Sequence, residues 1–246
     1  SKVLHKQKKI KTICRFGTNI ENIDIKLCQK KKIKVLNLEK VINAKAVARH
    51  TLALLLGVTN NLKYYSEISK KNIWKRRKNI SPSETKIGII GMGNIGKILS
   101  NYLRKLEFSI NYFSRTPKKI SKAKYFKSLE KLIKSSEIIS IHLPSNNKTK
   151  QLFSKKVIRL LKGKVLINTS RGDLLDEKIL YDLLKKRHIK YAALDVFVNE
   201  PTINLSKKIR NLENVLSTCH ASFYDEQTIK KMIRKSLEKL KLKIKL

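Results

Sequence analysis

The sequence predicts an α/β fold in which a doubly wound parallel sheet is joined to a second, smaller domain. Two observations carry this. From residue 86 to residue 217, short β-branched runs alternate with helical patterns, and that alternation implies right-handed βαβ units. Glycine is scarce, 8 of 246 residues, yet Gly88, Gly91, Gly93 and Gly96 share one stretch. A chain this poor in glycine keeps it where no Cβ fits.

The elements follow in order. A strand is expected at Thr12–Arg15, a loop at 17–22, a strand at 34–36 and a long helix over 44–65. Trp74 and the basic run to Lys78 read as a surface connector. The run Lys86-Ile-Gly-Ile-Ile is a strand that enters a Gly-x-Gly-x-x-Gly turn. After it, Ile95, Ile98, Leu99, Tyr102 and Leu103 fall on one helical face. Strands are then expected at 110–113, 138–143, 165–168, 192–196 and 215–217. Helices are expected at 128–134, 154–161 and 177–187.

Composition excludes several classes. With 41% hydrophobic residues the chain is too apolar to be disordered, and no apolar run approaches the ~20 residues that span a bilayer. The opening residues show no apolar segment of the secretory type. Cys14, Cys28 and Cys219 form no CxxC pair, so reduced thiols in a cytoplasmic setting, without a metal site, are expected. The net charge of +39 comes from 46 Lys and only 11 Arg. Nucleic-acid recognition favours Arg forks, clustered basic stripes and stacking aromatics, whereas these lysines occur in almost every segment. They read as compositional drift, with nonspecific adhesion to polyanions as a consequence and no specific nucleic-acid or membrane partner.

The glycine-rich turn points to a dinucleotide. Gly91 permits the bend, Gly93 lets the backbone approach a pyrophosphate, and Gly96 lets helix and strand pack closely. The helix N-terminus, at Asn94 and Ile95, then offers free N–H donors to phosphate. An NAD site usually carries a carboxylate at the end of the second strand. Here that strand runs into Ser114-Arg115-Thr116, with Lys118 and Lys119 beyond. A guanidinium fork and two hydroxyls suit a 2′-phosphate, so NADP is favoured over NAD.

Further motifs stand in a fixed order: His142-Leu-Pro-Ser-Asn-Asn-Lys-Thr149, Ile167-Asn-Thr-Ser-Arg-Gly172, Ala193-Leu-Asp-Val-Phe197 followed by Asn199-Glu-Pro201, and Cys219-His-Ala221. Together with the glycine turn, the chain resembles the D-isomer-specific 2-hydroxyacid dehydrogenases, the family of D-3-phosphoglycerate dehydrogenase and the glyoxylate/hydroxypyruvate reductases. The resemblance extends to Arg15-Phe-Gly-Thr-Asn-Ile-Glu-Asn-Ile-Asp24, similar to the family's substrate-domain loop. It also takes in Val47-Ala-Arg-His-Thr-Leu-Ala-Leu-Leu-Leu56, similar to its interdomain helix.

The resemblance implies a Rossmann-type NAD(P)-binding domain at 46–224 and a partial, flavodoxin-like substrate domain at 1–45. A C-terminal helix at 225–246 returns to that substrate domain, and the whole forms a homodimer. It implies hydride transfer between a nicotinamide cofactor and a D-2-hydroxy or 2-oxo acid, either 3-phosphoglycerate or glyoxylate/hydroxypyruvate. Arg171, Glu200 and His220 are then the catalytic set, and the chemistry agrees. Histidine titrates in the range needed to handle the hydroxyl proton, a neighbouring carboxylate favours imidazolium, and the planar fork of Arg171 suits a carboxylate and a carbonyl oxygen. Asp195 faces the nicotinamide ring. His142, Pro144, Thr149 and Thr169 join Gly91, Gly93, Asn94, Ile95, Gly96, Ser114, Arg115 and Thr116 at the cofactor. Arg15, Gly17, Thr18 and Asn19 hold the substrate.

Each reading has a rival. His142, at a strand end, is structural or beside the nicotinamide rather than the acid. His50 is a packing histidine, and His5 and His188 lie on the surface. A non-catalytic, dinucleotide-sensing protein of the corepressor type is the alternative function. The sequence departs from the family at Ser114, at Asn19, at Arg49 in the interdomain helix and at Cys219 before His220. Family members also carry a strand–helix–strand before the Arg15 loop. An N-terminally truncated substrate domain is therefore expected, with dinucleotide binding, poor turnover and self-association beyond a dimer.

Overall fold

The computed structural model describes residues 9–17, 20, 23–39, 41–198, 200–201 and 204–241, with backbone only at Gln151, Asn204 and Leu205. The chain divides into two compact units, 47–222 and 1–46 with 223–246.

In the larger unit the strands are β3 (Lys86–Ile90), β4 (Ser109–Phe113), β5 (Ala123–Phe126), β6 (Ile138–Ile141), β7 (Val165–Asn168), β8 (Tyr191–Leu194) and β9 (Val215–Ser217). All pair in parallel, in the order β5-β4-β3-β6-β7-β8-β9. The chain order reverses between β3 and β6. In open sheets of this kind, ligands bind outside the carboxyl ends of the strands at that switch point.

Side chains alternate across the sheet with period two. Ile87, Ile89, Val165, Ile167 and Ala193 pack on one side with α2 (Ala44–Thr59) and α4 (Asn94–Lys105). Ile90, Ile141, Leu166, Ala192 and Leu194 pack on the other with α5 (Leu129–Lys134), α7 (Lys155–Arg159), α8 (Glu177–Lys185) and α9 (Asn204–Arg210). A sheet covered on both faces explains why its strands read as continuous apolar runs.

The helix expected over 44–65 is broken. α2 stops at Thr59, and α3 (Leu62–Ser69) starts after Asn61, whose φ is +53°. Asn60 turns its amide onto the Leu56 carbonyl (2.9 Å), and the Asn61 amide bonds the Lys78 carbonyl (3.2 Å) and Asn79 Oδ1 (3.0 Å). Asparagine tolerates the left-handed conformation and competes locally for backbone groups, so the apolar pattern runs on through a real turn. The strand expected to reach residue 143 ends at Ile141, where β6 loses its partner. The strand expected over 192–196 is shifted to Tyr191–Leu194.

The smaller unit holds β1 (Thr12–Arg15), α1 (Ile25–Lys30), β2 (Lys34–Asn37) and α10 (Glu226–Leu240), with the start of α2. β1 and β2 form a two-stranded parallel sheet. Among its described residues the buried apolar ones are Cys28, Ile33, Leu38, Ala44, Ala46 and Met232. No residue of β1 or β2 is itself fully buried.

Candidate active site

Three glycines shape the turn after β3. Gly91 adopts φ +103°, and a Cβ there would lie 2.3 Å from the His142 carbonyl oxygen. A Cβ on Gly96 would lie 2.3 Å from the Gly91 carbonyl oxygen. Gly93 caps α4, and a Cβ on it would meet no protein atom within 4 Å. The first and third glycines are thus required by the protein's own packing. The space over the second is open, beside the exposed Asn94 and half-buried Ile95 at the helix N-terminus. That open cradle fits a pyrophosphate.

At the end of β4, Arg115 and Thr116 are exposed and Ser114 half-buried. The Ser114 hydroxyl donates to the Thr116 carbonyl (2.6 Å). The buried Tyr112 pins the loop from below: its hydroxyl donates to the Lys118 carbonyl (2.8 Å) and accepts the Lys118 N–H (2.9 Å). No carboxylate occurs between Phe113 and Ile120.

At β6, His142 is half-buried by surface area, but its Nδ1 is sealed from solvent without a partner while Nε2 meets Ser140 Oγ at 2.8 Å. Burial pushes its pKa down to about 4, so it is neutral near pH 7 and is no candidate for a protonated acid. Thr149 Oγ1, on the short helix α6 (Asn147–Lys150), donates to the Pro144 carbonyl (2.7 Å), closing the turn after β6. Ser170 Oγ donates to the Leu143 carbonyl, and Ser145 and Lys150 both hold Asp173, so the loops after β6 and β7 are tied together. Arg171 lies between those ties, half-buried, with one guanidinium nitrogen donating to the Ser170 carbonyl (2.7 Å).

His220 and Glu200 come together. Nδ1 of His220 lies 2.5 Å from Glu200 Oε2, while Glu200 Oε1 accepts the Phe197 N–H at 2.6 Å. Against a carboxylate, Nδ1 carries the proton and donates, so Nε2 is the ring nitrogen that Glu200 does not engage. Asp195 is fully buried. Its carboxylate accepts from Thr218 Oγ1 (2.5 Å), Ala221 N (2.8 Å) and Ser222 N (3.0 Å), and its carbonyl accepts His220 N (2.8 Å). In this structure it therefore braces the loop that presents His220. His50, read as a packing residue, places Nε2 3.1 Å from Thr218 Oγ1 and 3.7 Å from Asp195 Oδ1, and so belongs to the same network. Thr169 is buried, bonded to Thr51 of α2 (2.8 Å).

In the smaller unit, the Gly17 carbonyl accepts Leu38 N (2.9 Å), which anchors the loop that starts at Arg15. Thr18 and Asn19 lie outside the described residues, as do Asn199 and His5. His188 is exposed. Sequence reasoning missed Thr218, Ser140 and Glu177. Only Thr218 had a visible signal, its place two residues before His220.

These features define a dinucleotide-type parallel sheet with a His–Glu pair on the loops beyond the carboxyl ends of its strands. The model of the family "D-isomer specific 2-hydroxyacid dehydrogenase, NAD binding domain" matches residues 52–222, and the chain belongs to this family. It is 31% identical over 235 residues to a D-3-phosphoglycerate dehydrogenase of Methanocaldococcus jannaschii, covering 93% of this chain and 44% of that protein. It is 30% identical over 224 residues to a hydroxypyruvate reductase of Thermotoga maritima, covering 89% and 72%. The chain thus spans less than half of the first relative's length. A solved acyclic imino acid reductase in complex with NADPH and D-Arg superposes with a TM-score of 0.81 at 26% identity, over 98% of this chain and 78% of that one. Among the described residues no helix is long and apolar enough to cross a membrane.

Proposed function

We propose that the protein is an NAD(P)-dependent dehydrogenase that interconverts a D-2-hydroxy acid and its 2-oxo acid. The observation that carries this reading is the 2.5 Å contact of His220 Nδ1 with Glu200, on the loops after β8 and β9 of a sheet whose β3 opens into the glycine cradle. Nicotinamide, when bound, supplies or accepts the hydride at C2.

The chain's own residues do the rest. His220 Nε2 gives its proton to the developing alkoxide in reduction and takes it back in oxidation. Glu200 holds the ring in one tautomer by accepting from Nδ1. Arg171 leaves the Ser170 carbonyl to bind the substrate carboxylate and the reacting oxygen through its planar fork, and the ties at Ser170 and Asp173 keep its backbone in place. Gly91, Gly93, Gly96 and the α4 N-terminus hold the pyrophosphate. Arg115, with Ser114 and Thr116, holds a 2′-phosphate, which favours NADPH. The family name mentions NAD and one relative's structure holds NADPH; the absence of a carboxylate in the 114–119 loop decides our choice. Phosphoglycerate and glyoxylate or hydroxypyruvate are both candidate substrates.

A panel of 2-oxo acids assayed with NADPH and NADH tests the reading. Turnover of at least one, faster with NADPH, is expected. Tight DNA binding with no turnover of any acid would establish the corepressor-type alternative instead.

A further inference from the structure

Glu177 is the first residue of α8, where a carboxylate ordinarily faces solvent and complements the helix dipole. The capping here is done by Asp176, whose Oδ1 accepts Lys178 N (2.9 Å) and Ile179 N (3.1 Å). The Glu177 side chain is released from that task. It is half-buried, and its Oε1 accepts the Val198 N–H at 2.6 Å. The next amide back, Phe197 N–H, is accepted by Glu200. Two successive amides are thus each held by a different carboxylate, and the other oxygen of one of those carboxylates is the partner of His220.

We propose that Glu177 is a positioning residue for the Glu200–His220 pair: by holding Val198 it fixes the turn from which Glu200 reaches Nδ1 of His220. The inference rests on the dehydrogenase reading and names a residue outside the reacting groups. The charged groups facing Glu177 are Glu200 from the turn and Arg210 from α9. Burial, with the like charge of Glu200, raises the Glu177 carboxyl above the usual range, while the Val198 N–H and Arg210 oppose the rise. A carboxylate kept beside another one at that cost is held for its geometry.

The test compares Glu177→Gln, which keeps an acceptor for Val198, with Glu177→Ala, which loses it. Both are read by kcat, by dinucleotide affinity, by thermal unfolding and by NMR titration of the His220 imidazole. Glu177→Ala should lower kcat about 10- to 100-fold, the scale of a catalytic group displaced by an ångström. Dinucleotide affinity should be unchanged, and the His220 titration and the reductive pH profile should both move away from the parent's. Glu177→Gln should restore kcat to within about threefold of the parent and keep the titration near the parent's. Combining Glu177→Ala with Glu200→Gln should cost little more than Glu200→Gln alone. A lower melting temperature with an unmoved His220 titration in Glu177→Ala would overturn the proposal. Because the titration needs no turnover, an inert parent whose His220 still responds to Glu177→Ala would sink the dehydrogenase reading and leave this inference standing.

Discussion

The backbone of His220 sits at φ +55°, a region that non-glycine residues occupy only when the surroundings impose it. The buried Asp195 imposes it by holding the amides of residues 220, 221 and 222 and the Thr218 hydroxyl. His220→Ala keeps those bonds and removes the acid, so kcat should fall roughly 10²–10⁴-fold with little change in dinucleotide Kd. Glu200→Gln keeps a contact with the ring but replaces the carboxylate that accepts from Nδ1, so kcat should fall and the reductive pH profile should shift from the parent's. An unshifted profile would remove Glu200 from the mechanism. At the other end of the cofactor, Arg115→Asp should reverse the preference for NADPH, since a charge-assisted bond of on the order of 1.5–3 kcal/mol is replaced by repulsion. A wild type that prefers NADH and ignores the substitution would refute the reading of this loop. His220, Glu200 and Arg171 were legible because their residue types and motif order fit one chemistry. Glu177 was not, because a glutamate at a helix start looks the same in sequence whether it faces solvent or a neighbouring turn.

The βα turn shows what can be read at the scale of an element. Its three glycines were each assigned a different physical reason, and the geometry separates them by what a Cβ would strike. Gly96→Ala forces the new carbon into the Gly91 carbonyl and should destabilise the fold by about 1–3 kcal/mol. Gly93→Ala meets no protein atom and, at φ −85°, no backbone strain. It should leave the melting temperature unchanged and weaken dinucleotide binding at least tenfold, as seen by calorimetry or fluorescence titration. Equal affinity for the Gly93 variant would mean the phosphates do not approach there. Elements hidden from the sequence were hidden for local reasons. β5 alternates small, charged and aromatic residues over only four positions at the sheet edge, where one face stays half-exposed. α1 is six residues long, shorter than the window in which helical periodicity can be told from chance, although Asp24 caps it by accepting Leu27 N. The α2–α3 break escaped because the apolar stripe continues across Asn60 and Asn61, and only their side-chain bonds reveal the turn.

Over the whole molecule, the uneven charge acts on every element at once. A net +39 favours expanded states through self-repulsion, and many of the ion pairs that could relieve it are exposed, such as Lys230–Glu226, Lys235–Glu238 and Lys156–Glu130. Exposed pairs of this kind are weak and screened by solvent, too weak to offset a surplus spread over the entire chain. Salt weakens both the pairs and the repulsion, and the repulsion involves far more charges. The Debye length falls from about 30 Å at 0.01 M to about 10 Å at 0.1 M, so repulsion between distant cations is screened. Raising NaCl from roughly 20 to 300 mM at neutral pH should therefore stabilise the fold by about 1 kcal/mol or more, a rise of roughly 2–4 °C in Tm for a chain this size. Retention on a heparin column should fall across the same range, since adhesion to polyanions shares the electrostatic origin. A melting temperature that stays flat or falls as salt is added would show that the lysines are locally compensated, and that their even distribution along the sequence conceals an even distribution of partners.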